Sequence, residues 1–347
     1  MQIAHRHKYN ANVQAMRGVS ILLVLSFHYF DWPRQAGALG VGLFFCISGY
    51  LITSILLDEL LTRGTLDLKR FYIRRARRLL PLAYLVLALT LAIFLFLDAV
   101  GYLIIDRRGL ALSTLFATLY VGNLLGFFHL GYADLAAPIG HFWSLAVEEQ
   151  FYVIWPSLLF LVVKRWRRFR GSTILLCLIL FSTVLHVFFQ IIGKTVWTLP
   201  TSYFDILFAG CWVAFKQFEQ GFTVSRRLSR ILLLVAVVPL GYIFFSQMEP
   251  TNYSGLGYSI IAAAEFILFL TFLGSSRIGK IVPLTWIGDL SYSLYCIHFP
   301  ILILFDHIFG HSWLRIPCAF VITLGLSVVS RRRFEILFWR SRFTPQK

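Results

Sequence analysis

Leu79-Leu-Pro-Leu-Ala-Tyr-Leu-Val-Leu-Ala-Leu-Thr-Leu-Ala-Ile-Phe-Leu-Phe-Leu97 runs for nineteen residues without a charge. At 1.5 Å of rise per residue, a helix of that length reaches about 29 Å, enough to cross a hydrocarbon core about 30 Å thick. The run is bounded by charge on both sides. Lys69-Arg70-Phe-Tyr-Ile-Arg74-Arg75-Ala-Arg77-Arg78 precedes it and Asp98 follows. Such a segment fits a helix, because in lipid every backbone group must find its partner within the segment itself.

Comparable runs recur along the 347 residues, at 14–31, 39–57, 109–127, 142–163, 172–192, 202–216, 231–246, 257–274, 287–305 and 314–330. With 58% hydrophobic and 14% charged residues, no stretch of soluble-domain length remains between them. The expectation is a single all-α domain over 1–347, a polytopic transmembrane helical bundle whose chemistry sits within the bundle or on short loops.

The net charge of +16 does not point to nucleic acid, because the basic residues fall in short clusters between apolar runs. They serve instead to choose sides. If the amino terminus is cytoplasmic and 109–127 does not cross, 27 of the 32 lysines and arginines lie inside. Only Arg34, Arg107, Arg108, Lys194 and Arg315 are then outside. Letting 109–127 cross would strand every later basic loop outside. The sequence therefore predicts about ten spans, both termini cytoplasmic, and a re-entrant or interfacial segment near 109–127. Half-inserted chain at membrane depth is tolerated only where protein or a watery cavity covers it, so this element would line a site. His5, Arg6, His7 and Lys8, with no small-residue cleavage site after them, read as a retained cytoplasmic end rather than a signal peptide. Cys46, Cys177, Cys211, Cys296 and Cys318 lie in or at the edge of apolar runs without metal-ligand spacing, so reduced thiols and no metal are expected.

Polar side chains within these runs carry the functional reading. Arg17 and His28 are eleven residues apart, three turns plus about 20°, and so share one helix face about 16 Å apart. An imidazole in a span is costly unless it faces a polar interior, and its near-neutral titration suits removal of a proton from an alcohol. His141-Phe-Trp143-Ser144-Leu-Ala-Val-Glu148-Glu149-Gln150-Phe-Tyr152 puts two carboxylates and an amide in the outer half of a span. Adjacent residues point about 100° apart, so one of Glu148 and Glu149 can orient a base while the other pairs with an arginine, the sequence leaving open which. The arginines ahead of Leu79 anchor topology, but guanidinium forks also suit phosphates. Gly40-Val-Gly42-Leu-Phe-Phe-Cys-Ile-Ser48-Gly49-Tyr50-Leu-Ile-Thr53 reads chiefly as a close-packing face. Asp205 and Glu265 are further acids in apolar runs, either ion-pair partners or part of an acceptor site.

Taken in order, these segments resemble the acyltransferase-3 family of membrane-bound O-acyltransferases, which modify bacterial envelope and exported glycans, Nod factors and some macrolides. Arg17-Gly18 with His28 resembles its first-span motif, and Leu43 to Thr53 its second. Arg75-Ala-Arg77-Arg78-Leu-Leu-Pro81 is similar to its cytoplasmic arginine element, with Arg74 and Arg77 offering an overlapping frame. Trp143 to Tyr152 resembles its most recognisable stretch, and Ser291-Tyr292-Ser293-Leu294-Tyr295 with His298-Phe299-Pro300 its late-span signature. The likeness covers roughly residues 9–335. Some members carry an added extracytoplasmic esterase-like domain; a stand-alone membrane domain is expected here.

The resemblance implies a multi-pass protein of the bacterial plasma membrane. It would move an acyl group, acetyl by analogy, from cytoplasmic acyl-CoA to a hydroxyl of a carbohydrate or glycolipid, with no bound cofactor. His28 would act as general base or transient acyl carrier, with Glu148 or Glu149 orienting it. Arg17 with Arg75 and Arg78, or Arg74 and Arg77, would bind the donor. Trp143, Ser144, Asp205 and Tyr292 are candidate acceptor contacts, joined by outer-loop Tyr132, Asp134, Asn252 and Tyr253. Two alternatives stay open: a small secreted acceptor such as a macrolide, and a transporter or flippase of a glycan or lipid-linked sugar. Transporters often show two similar halves, and no such repeat is visible here.

Overall fold

The computed structural model describes residues 10–30, 35–125, 138–165, 171–191, 200–245, 255–310 and 312–339. Within them the chain is helical, with no strand. The helices are α1 (Ala11–Phe30), α2 (Ala36–Arg63), α3 (Leu68–Ala99), α4 (Arg107–Thr118), α5 (Phe142–Arg165) and α6 (Gly171–Ile191). After these come α7 (Phe204–Gln220), α8 (Arg226–Phe245), α9 (Gly255–Leu273), α10 (Val282–Phe309), α11 (Arg315–Val329) and α12 (Glu335–Trp339). A π-helical turn, Ser330–Phe334, links the last two. By length and composition, five helices among the described residues suffice to cross a membrane: α1, α2, α3, α6 and α10. α4 has 12 residues, a reach of about 18 Å, which is too short for a full crossing.

Local chemistry sets the helix ends. α2 stops at Gly64, whose φ of 70° is open to glycine at little cost and whose N–H reaches the Leu60 carbonyl at 2.8 Å. Three residues on, the Asp67 carboxylate caps α3 by accepting the Arg70 N–H at 2.9 Å. A tight α2–α3 connection results.

The chain forms two compact units, one of residues 1–66 and 148–289 and the other of 67–147 and 290–347. α5 and α10 each contribute to both.

In the first unit α2 is central, packing on α1, α7 and α9. It is buried on nearly all sides because its glycines admit neighbouring backbones. A Cβ on Gly49 would overlap the Leu207 carbonyl of α7, and one on Gly210 of α7 would overlap the Cys46 carbonyl of α2. The ends of this unit's helices meet where the basic loops are. Asn12 of α1 donates to the Leu273 and Ser275 carbonyls and accepts the Gly279 N–H, joining the start of α1 to the α9–α10 connection. Ser229 at the start of α8 donates to the Thr271 carbonyl near the end of α9. Ser172 at the start of α6 donates to Glu219 near the end of α7.

In the second unit α3 packs on α4 and α12. Its outer face stays apolar and open, with Leu89 and Phe96 51% and 64% exposed. α8 of the first unit does the same with Leu234 and Val238. Water would penalise such faces; lipid does not. Two of the arginines left outside by the charge count are neutralised here. Arg107 pairs with Asp98 across the α3–α4 turn, and Arg315 with Asp306 at 3.2 Å across the α10–α11 turn.

Candidate functional site

In the first unit the motifs of α2 and α5 are each other's partners. The Tyr152 hydroxyl donates to Ser48 Oγ at 2.8 Å, and Ser48 in turn donates to Glu148 Oε1 at 2.7 Å. One turn further along each helix, Trp155 Nε1 donates to Thr53 Oγ1 at 2.8 Å, and both side chains are buried. Glu148 and Tyr152, four residues apart on α5, lie on one face, so a single α2 hydroxyl can bridge them. The relay gives Glu148 a fixed acceptor position. Glu149 and Gln150 follow on neighbouring faces and are half-buried.

His28 lies two residues before the end of α1 and is partly exposed. Its Nδ1 is 3.0 Å from the Val24 carbonyl one turn back. A carbonyl only accepts, so Nδ1 carries the proton and, in the neutral ring, Nε2 carries the lone pair. This is the tautomer a general base needs. Toward the other end of α1, Arg17 donates to Gln14 Oε1 at 3.4 Å, and Gln14 Nε2 donates to Asp289 Oδ1 of α10 at 2.5 Å. The helices meet closely at this point. A Cβ on Gly18 would overlap the Leu284 carbonyl, and one on Gly288 the Gln14 carbonyl. Gly18 is thus needed for the approach that sets Arg17 beside the start of α10.

Asp205 stands in the first turn of α7 and accepts the Ile206 N–H at 2.7 Å. Glu265 of α9 is buried, with its carboxyl against Gly42 of α2 where a Cβ would overlap it. Neither acid forms an ion pair among the described residues.

The remaining described residues singled out for the site lie in the second unit. Arg74, Arg77 and Arg78 are exposed and Arg75 half-buried, all on the first turns of α3. The Tyr292 hydroxyl donates to the Leu79 carbonyl, immediately after that arginine run. Ser144 is buried and shares a hydrogen bond with the Tyr295 hydroxyl, which also donates to the His141 carbonyl at 3.0 Å. His141 and His298 are both buried, with ring centroids 5.0 Å apart. Ser144 therefore belongs to an internal aromatic and imidazole cluster, while Trp143 beside it is half-buried. Tyr132, Asp134, Asn252 and Tyr253 lie outside the described residues. Among the described residues no three His, Cys, Asp or Glu side chains gather as a metal-ligand set.

Ser48, Tyr152, Gln14 and Asp289 were not legible as functional partners. Tyr152 and Gln14 carried a local signal, helical spacings of four residues from Glu148 and three from Arg17. Ser48 and Asp289 act across 100 or more residues of sequence.

A family model described as an acyltransferase domain matches residues 10–332. The chain is similar to peptidoglycan O-acetyltransferase OatA of Listeria monocytogenes, 33% identical over 324 residues, covering 86% of this chain and 50% of the relative. Putative peptidoglycan O-acetyltransferase YrhL of Bacillus subtilis is 33% identical over 321 residues, covering 86% and 49%. O-acetyltransferase OatA of Staphylococcus aureus is 28% identical over 313 residues, covering 85% and 51%. The chain thus spans about half the length of these relatives. No solved structure matches it. With the family match running from the start of α1 into the π-helical turn and so taking in all of these motifs, the chain belongs to the acyltransferase-3 family.

Proposed function

We propose that the chain is one membrane domain of about ten spans that moves an acetyl group from cytoplasmic acetyl-CoA to a hydroxyl of an envelope glycan. Peptidoglycan is the acceptor class that the relatives' names suggest. The observation that carries the reaction type is the His28 Nδ1 bond to the Val24 carbonyl, which leaves Nε2 to take the proton. The acceptor's O–H proton passes to Nε2 as its oxygen attacks the thioester carbonyl. The C–S bond then breaks, and the departing thiolate recovers the proton from the imidazolium. A carboxylate held in place steadies the imidazolium, and the Ser48 relay favours Glu148 over Glu149 for that role. Arg75 and Arg78, or the overlapping Arg74 and Arg77, hold donor phosphates, and Arg17 guides the thioester end.

The sidedness follows the charge count, in a bacterial plasma membrane with both termini cytoplasmic. Support comes from the first unit, where the start of α1, the α9–α10 connection and the start of α8 meet. Each lies beside a basic segment. The short α4 supports a re-entrant or interfacial role for 109–127.

Purified protein incubated with radiolabelled acetyl-CoA and peptidoglycan fragments tests the reading. Thiol release with label on the glycan is expected. A folded protein that binds the glycan yet releases no thiol points to a transporter instead. Release with a macrolide and none with glycan changes the acceptor only.

A further inference from the structure

Two neighbouring residues of α10 pin two separate basic segments of the second unit. Tyr292 holds α3 at Leu79, one residue after Arg78. Ser293 donates to Glu335 at the start of α12, and α12 packs on α3. Glu335 also accepts from Ser330 and pairs with Arg331, both at 3.4 Å. The turn Ser330–Phe334 that carries Arg331, Arg332 and Arg333 leads directly into α12, and its Phe334 packs against the cluster that holds Leu82 and Ala83, one turn past Arg78 on α3. π-Helical turns are uncommon and concentrate at functional sites. Arg331 is occupied by Glu335, whereas Arg332 and Arg333 are exposed. A topology anchor needs only charge near the interface; it does not need a buried serine and a carboxylate to fix its register.

We infer that Arg332 and Arg333 complete, with the arginines of α3, a site for clustered phosphates, and that its occupant is the nucleotide end of coenzyme A. This rests on the reading of the α3 arginines as the donor site. A diphosphate together with a ribose phosphate offers more negative charge than one pair of guanidinium forks can match, and forks from two elements can grip it from two directions. Anionic lipid headgroups present the same phosphate chemistry, so the test must separate the two.

Binding of tritiated coenzyme A is measured on the full chain in nanodiscs of phosphatidylcholine, with and without phosphatidylglycerol. Wild type is compared with Arg332→Gln/Arg333→Gln and Arg332→Lys/Arg333→Lys, each matched for melting temperature. The glutamine variant is expected to bind coenzyme A about tenfold more weakly in both lipids, the scale of one lost charged hydrogen bond. The lysine variant should recover part of that loss, and in turnover the defect should appear in KM for acetyl-CoA rather than in kcat. Unchanged affinity of the glutamine variant beside a binding wild type overturns this inference and leaves the donor reading standing. A loss confined to phosphatidylglycerol discs overturns it in favour of lipid headgroups. Wild type that binds no coenzyme A in either disc removes the donor reading and this inference together.

Discussion

Ser48 of α2 donates its hydroxyl proton to Glu148 of α5 at 2.7 Å, while accepting that of Tyr152. The bond joins two motifs 100 residues apart and separates two carboxylates that the sequence presents as equals. A carboxylate with a fixed geometry can orient a base; one on a different helix face cannot take its place without moving the helix.

Glu148→Gln should therefore lower kcat/KM by about 100-fold, at the lower end of what general acid–base assistance contributes. Glu149→Gln should cost far less. Ser48→Ala should cost about tenfold and Tyr152→Phe no more than Ser48→Ala, since the first removes both hydrogen bonds of the relay and the second only the one to Ser48. Steady-state kinetics on the four variants checks the ranking. Equal losses for Glu148→Gln and Glu149→Gln would remove the distinction.

The glycines separate by what a methyl group would meet. Gly18→Ala and Gly288→Ala force apart the backbones of α1 and α10, at an expected cost of about 1–3 kcal/mol. Gly325 of α11 has open space around it, so Gly325→Ala should be neutral or stabilising by up to about 1 kcal/mol through helix propensity. Thermal unfolding in detergent reads both. Activity should fall with Gly18→Ala even below its melting temperature, because Arg17 moves with the helix.

How much of this was legible depends on how far the deciding interaction reaches. The run Leu79 to Leu97 announces a helix long and apolar enough to cross a membrane by itself, since length and hydropathy are properties of the segment. The shortness of α4 was read indirectly, from charges in every later loop. The hydrogen bond that Glu148 accepts was out of reach, because its donor is Ser48 on another helix. The Tyr292 hydroxyl reaches the Leu79 carbonyl beside the arginines, a pairing across 213 positions that no local pattern displays. The pairing of Arg107 with Asp98 and of Arg315 with Asp306 is likewise something that composition alone leaves bare.

Sidedness has its own check. With the native cysteines replaced, single cysteines at Ser225 and Ser276 should react with an impermeant maleimide only after the cell is opened. Cysteines at Tyr102 and Ser312 should react in intact cells. All four positions are exposed, so reactivity reports side rather than burial. If Ser225 and Tyr102 label on the same side, the count of crossings between them is wrong.

If the Nε2 of His28 takes the acceptor proton, substitution of that side chain removes the base. Thiol release from acetyl-CoA in the presence of glycan is compared between wild type and His28→Ala, matched for insertion and melting temperature. A loss of at least about 100-fold in kcat is expected, with coenzyme A binding retained. A folded His28→Ala protein that transfers at the wild-type rate would contradict it.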